Sequence, residues 1–145
     1  MRAADLVVVD TSVLLSASDR SRTSHDAALR LLRDDPRDLH VTPQVVREYL
    51  AVATRPPEAN GLGLPHARAV ENIRALLTSL GLLTDGAGST GRLLDLVGSA
   101  AATGRQVHDA NIVAVALAHG ARAVVTDDAR HFARFDEHLT IESLG

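Results

Sequence analysis

The chain has 145 residues, 46% of them hydrophobic and only 2% aromatic, with a formal net charge of −3. That length suits one domain with an aliphatic core, and the charge excludes capture of nucleic acid by the overall field, leaving only local patches. Every basic side chain other than histidine is arginine and cysteine is absent, which excludes lysine-dependent chemistry, thiol nucleophiles, disulfides and cysteine-type zinc sites.

In chain order, an aliphatic run predicts a first strand over about 5–9, ending at Asp10. Thr11-Ser12 opens a short helix over 13–17, and residues 18–23 read as a loop. Ser24 caps a helix to about 34, with Pro36 beyond its end, and a short strand follows near 39–41. Thr42-Pro43 is a strong helix start, and that helix runs to about 54. Val45, Val46, Tyr49, Leu50, Val52 and Ala53 share one arc of it, Arg47 points away, and Glu48 stands at the margin.

Pro56, Pro57, Gly61 and Gly63 make 55–64 a loop, after which Pro65 opens an amphipathic helix to Leu80, ended by Gly81. A short strand is expected at 82–84, a turn-rich linker at 85–91 and a helix over 92–103. The next helix, about 108–119, is apolar nearly all round and should be buried. A strand at 123–126, a helical turn near 129–132 and a last strand near 139–141 complete the chain. Strands alternating with helices give an α/β fold, one domain over 1–145 with a mostly parallel sheet of four to five strands. No apolar span reaches membrane length, and the run after Arg2 is too short for a secretory signal, so a soluble cytoplasmic protein is expected.

Two runs end alike: Leu6-Val7-Val8-Val9 stops at Asp10, and Ala123-Val124-Val125-Thr126 stops at Asp127-Asp128. Parallel strands ending this way deliver acids to the crevice at the carboxyl edge of a sheet. Asp109, in the first turn of the apolar helix, shares a wheel direction with Val113 and Ala116 and needs a partner there. Each acid has an ordinary reading, as helix cap, macrodipole partner or solvated surface residue. Converging, they repel unless protons or a cation neutralise them, and a hard divalent ion, Mg²⁺ or Mn²⁺, does so with oxygen ligands.

Val9-Asp10-Thr11-Ser12-Val13-Leu14-Leu15, Val45-Val46-Arg47-Glu48-Tyr49-Leu50, His108-Asp109-Ala110 and Val125-Thr126-Asp127-Asp128-Ala129-Arg130-His131-Phe132 occur in that order. Together they resemble the PIN-domain ribonucleases, and more narrowly the VapC toxins of bacterial toxin–antitoxin pairs. Thr54-Arg55-Pro56 with Asn60-Gly61-Leu62-Gly63-Leu64 is similar to a loop of one subgroup. The resemblance implies a PIN-like domain with Mg²⁺-dependent endoribonuclease activity, in which Mn²⁺ can substitute. Hydrolysis by metal-activated water would leave 5′-phosphate and 3′-hydroxyl ends. The implied catalytic acids are Asp10, Glu48, Asp109 and Asp128, with Asp10 and Asp109 as metal ligands. Asp127 stands at a variable position of the family pattern, which selects its neighbour Asp128.

Thr11, Ser12, Asn111 and Thr126 are candidates to hydrogen-bond the acids, and Arg22, Arg47, Arg55, Arg130 and Arg134 to meet RNA phosphates. With Tyr49, Phe132 and Phe135 the only aromatics, recognition by base stacking cannot be extensive. The resemblance further implies structured RNA (transfer or ribosomal) as substrate, a homodimer, and a small cognate antitoxin that covers the acidic pocket. A haloacid-dehalogenase phosphatase would need a second Asp where Ser12 stands, and a response-regulator receiver would need a lysine. Gly61-Leu62-Gly63 has His66 where a dinucleotide loop needs glycine. The competing readings are a PIN-like module that binds without cleaving and a DNA nuclease of related fold.

Overall fold

A computed structural model of the chain describes residues 5–145, so residues 1–4 of the expected domain lie outside the described residues. Five strands, β1 (Leu6–Val9), β2 (Asp38–Val41), β3 (Gly81–Leu82), β4 (Ala123–Thr126) and β5 (Thr140–Ser143), form one sheet in the order β3-β2-β1-β4-β5. Every pairing is parallel. β1 and β4 are buried at every position, as the two β-branched runs predict for central strands covered on both faces.

The helices are α1 (Thr11–Ser18), α2 (His25–Asp34), α3 (Pro43–Thr54), α4 (His66–Leu76), α5 (Ala87–Ala100), α6 (Gln106–Ala118) and α7 (Ala129–Phe132). From β1 the chain moves outward through β2 to β3, then crosses back to β4 on the other side of β1. Right-handed crossovers therefore place α1–α4 on one face and α5–α7 on the other. The strand order reverses between β1 and β4, so the crevice beyond their carboxyl ends is the switch point where such sheets bind ligands. The backbone N–H of Asp10 donates to the carbonyl of Val125 at 2.9 Å, holding the two strand ends together at that point.

α6 is the buried helix the sequence predicts: Ala110, Ile112, Val113, Ala114, Val115 and Ala116 are all inaccessible or nearly so, and it packs on α5, β1 and β4. Burying each of its Val and Ile side chains contributes about 1.5–3 kcal/mol, which anchors the helix that carries Asp109.

Some boundaries differ from expectation for local reasons. α5 begins at Ala87 rather than 92, because the buried Ser89 hydroxyl accepts the Gly86 N–H at 2.8 Å and caps a first turn that glycines would otherwise break. α6 begins at Gln106 rather than 108, where the Gln106 side chain accepts the Thr103 N–H at 2.9 Å. α4 ends at Leu76, the chain to Leu80 continuing as turns. β3 occupies 81–82 rather than 82–84. Gly81 pairs with His40 across the sheet, and the His40 ring lies where a Cβ at Gly81 would stand, so this strand position suits glycine.

Candidate active site

Asp10 stands at the N-cap of α1 but does not cap it; its carboxylate turns into the switch-point crevice. Ser12 Oγ and Thr126 Oγ1 both donate to Asp10 Oδ2, at 2.8 and 2.9 Å, leaving Oδ1 without a side-chain donor among the described residues. The same hydroxyls accept the backbone N–H groups of Asp127 (2.9 Å) and Asp128 (3.0 Å), so β1, α1 and the end of β4 are joined through this one carboxylate. Only 8% of Asp10 is exposed. Burial raises its pKa above the ordinary value; the hydroxyls of Ser12 and Thr126 and the Thr11 amide oppose this, and the Glu48 charge adds to it.

Glu48 projects from α3 into the same crevice. Thr11 Oγ1 donates to its Oε1 at 2.8 Å, and Gln44, one turn earlier on α3, donates from Nε2 to its Oε2 at 3.2 Å. Asp109 enters from the first turn of α6. Its carboxyl is pushed up to about 6, first by burial and then by the Asp10 and Glu48 charges, with His131 and Arg105 pulling the other way. Asp128 follows β4, with Oδ2 at 3.2 Å from His131 Nδ1 and Oδ1 at 4.0 Å from Arg130 Nε.

Asp10, Glu48, Asp109 and Asp128 thus line one cleft of about 340 Å³, together with Thr11, Ser12, Arg22, Arg55, Arg105 and His131. Glu48, Arg105, Asp109 and His131 also line an adjoining lobe with Thr103, Gln106 and His108.

The neighbouring Asp127 faces the other way. It accepts from Ser16 Oγ (2.7 Å) and Ser24 Oγ (2.6 Å), tying β4 to α1 and the start of α2. We expect Asp127→Ala to cost about 1.5–3 kcal/mol, the range for hydrogen bonds to a charged group. Asp128→Ala should leave the melting temperature unchanged while weakening divalent-metal binding. Thermal melts and calorimetric Mn²⁺ titration of both variants check this, and a reversed pattern would exchange their roles.

Among the other expected residues, Thr11, Ser12 and Thr126 do bond the acids. Asn111 does not. Its Nδ2 donates to Gln44 Oε1 at 2.9 Å and approaches Asp85 Oδ2 at 3.4 Å, so it reaches Glu48 only through Gln44. Arg22 and Arg55 line the cleft, whereas Arg47 is exposed on α3 and Arg130 is 94% exposed beside Asp128. Arg134 Nη1 donates to the Ala100 carbonyl at 3.2 Å, at the end of α5. All three aromatics are buried, so none offers an open stacking face.

The loop at 55–64 folds back on the end of α3: Leu62, Gly63 and Leu64 donate to the carbonyls of Val52, Arg55 and Ala53. A Cβ at Gly61 would lie 2.0 Å from the Arg55 carbonyl oxygen, and Gly63 adopts φ +66°. That packing holds the backbone of Arg55 at the cleft mouth.

The donors suit a hard cation. They are carboxylate oxygens opening onto a cleft, and Asp10 and Asp109 lie near enough for one charge to disfavour the other. Among the described residues no three acidic or histidine side chains close into a cage. Mg²⁺ does not require one, since it keeps several waters and commonly takes one or two carboxylates.

The family model described as PIN domain matches residues 7–138. The chain belongs to the PIN-domain family. This PIN domain matches no curated protein sequence. Among solved structures it is similar to VapBC2 of Rickettsia felis bound to a promoter DNA fragment: TM-score 0.71, 18% identity, covering 95% of this chain and 98% of that one. It is likewise similar to the DNA-bound VapBC of Salmonella typhimurium: TM-score 0.72, 17% identity, 96% and 98% covered. A third is Mycobacterium tuberculosis VapC20, a Sarcin-Ricin loop cleaving toxin: TM-score 0.70, 19% identity, 88% and 93% covered. At these identities the likeness establishes the fold. Among the described residues of the PIN domain, no helix is long and apolar enough to cross a membrane.

Proposed function

We propose that this PIN domain is a divalent-metal-dependent endoribonuclease, the toxin of a toxin–antitoxin pair. The carrying observation is that four carboxylates from β1, α3, α6 and β4 share one cleft at the switch point. Asp10 and Glu48 have no basic partner among the described residues, their bonded donors being hydroxyls and an amide. Such a set is neutralised by a cation from outside the protein.

Asp10 and Asp109 would hold Mg²⁺, or Mn²⁺ in its place. The bound ion supplies activation of water and stabilises charge on the phosphoryl oxygens. Ser12 and Thr126 fix Asp10, Thr11 and Gln44 fix Glu48, and Glu48 and Asp128 accept hydrogen bonds from the attacking water and orient it. Water adds to phosphorus and the 3′ oxygen leaves, giving 5′-phosphate and 3′-hydroxyl ends. With the three aromatics buried, the substrate is gripped by backbone and shape, which suits structured RNA such as transfer or ribosomal RNA. The likeness to VapBC complexes supports a cognate antitoxin; cytoplasmic action and a homodimer rest on the same family likeness.

The test is incubation of the antitoxin-free protein with total bacterial RNA, single-stranded DNA and duplex DNA in Mg²⁺ or Mn²⁺. Discrete RNA fragments with 5′-phosphates, abolished by chelator, are expected. Cleavage of DNA alone would make it a DNA nuclease, and Mn²⁺ or RNA binding with no cleavage would make it a binding module.

Arg105 lines both lobes of the cleft and has no carboxylate within ion-pair distance among the described residues. In this reading it meets a substrate phosphate. Arg105→Ala should raise KM with kcat little changed and reduce the salt slope of RNA binding by about one. An unchanged salt slope would remove Arg105 from the substrate surface.

A further inference from the structure

Gln44 is 5% exposed and stands between the two helices that carry Glu48 and Asp109. Its Nε2 donates twice, to Glu48 Oε2 at 3.2 Å and to the backbone carbonyl of His108 at 2.9 Å. Its Oε1 accepts from Asn111 Nδ2 at 2.9 Å. Only one orientation of the amide satisfies all three partners, because Glu48 and the His108 carbonyl are acceptors and Asn111 Nδ2 is a donor. His108 immediately precedes Asp109, so one NH₂ group bonds both an acid of the cleft and the peptide beside a second acid.

We propose that Gln44 is a positioning residue that sets the separation of Glu48 from Asp109, with Asn111 locking its amide. This rests on the metal-dependent reading of the cleft. Glu48 and Asp109 lie on helices from opposite faces of the sheet, and among the described residues no side-chain hydrogen bond joins α3 to α6 other than those of Gln44. Gln44 is buried, so its amide is the one group that bonds Glu48 Oε2 and the His108 carbonyl together, and losing it removes that link between the two helices. Thr11 still holds Glu48 Oε1, so the expected effect is a misplaced carboxylate rather than a lost one.

The test compares Gln44→Met, similar in length and without a donor, with Asn111→Ala, which leaves Gln44 intact but frees its amide to turn. Calorimetric Mn²⁺ titration without RNA and steady-state cleavage are both measured. For Gln44→Met, Mn²⁺ affinity should fall 10–100-fold and kcat by a similar factor, with KM within about twofold, the range for residues that orient metal ligands. Asn111→Ala should show the same pattern, weaker. Wild-type Mn²⁺ affinity in a folded Gln44→Met protein overturns the proposal. If that variant does not fold, wild-type affinity in Asn111→Ala overturns it instead. Should the wild type bind Mn²⁺ yet cleave no RNA, the nuclease reading fails while the titration still decides the role of Gln44.

Discussion

Asp10→Asn should reduce metal-dependent RNA cleavage by about a thousandfold or more and, in chelator at pH 8, raise the melting temperature. The two effects share one cause. Asp10 is nearly inaccessible, and its burial disfavours the charged form that metal binding requires. The asparagine oxygen still accepts from Ser12 and Thr126, so the joint between β1 and β4 survives. What disappears is a buried charge repelled by Glu48 and Asp109. At this chain length each kcal/mol recovered raises the melting temperature by about 3 °C. Cleavage assays and thermal melts on the same preparations check both parts. Cleavage persisting near the wild-type rate would discard the acid-cluster mechanism. A melting temperature that falls would show that the carboxylate is a structural bond acceptor before it is a ligand.

How far the sequence reveals this site depends on whether the deciding contact is local. Asp10 and the Thr126-Asp127-Asp128 segment are legible because a fully apolar β-branched run in a parallel sheet can only end at the crevice. Asp109 is legible because an acid in the first turn of an all-apolar helix has to be answered by something. Asp127 and Asp128 cannot be separated by pattern physics, since what distinguishes them is the pair of hydroxyls from Ser16 and Ser24, distant in sequence. Family resemblance selects Asp128, the member of the pair that lines the cleft.

Gln44 and Arg105 were within reach of a simple rule. Each lies four residues before an acid of the cleft, Glu48 and Asp109 respectively, where helical spacing places side chains together. The segment before 92 misleads for the opposite reason. Gly86, Gly88 and Gly91 read as turns, yet the burial of Ser89 against the fold decides the helix start.

Divalent cation should stabilise the protein against heat by an increment that grows with pH, small at pH 5 and near its full size by pH 7.5. Asp109 places this window, and Asp10, also raised by burial, titrates upward with it. Its folded-state value near 6 lies above the ordinary 3.8, so the folded protein holds that proton more tightly than the unfolded chain does. The favourable contribution is therefore complete below about pH 4 and is lost as pH rises through 6. Metal-free protein loses stability across that interval. Mg²⁺ or Mn²⁺ requires the ionised form, so it competes with the proton and binds best where the bare site is least stable. Its stabilisation follows the logarithm of concentration over dissociation constant, and the dissociation constant falls as Asp109 ionises. The measurement is a set of melts in 10 mM Mg²⁺ and in chelator from pH 5 to 8, repeated with Asp109→Asn. In that variant the rise centred near pH 6 should vanish. An increment that is flat with pH in the wild type, or that keeps its slope in Asp109→Asn, would remove Asp109 from the metal's ligands and leave its displaced titration a consequence of burial and the neighbouring charges.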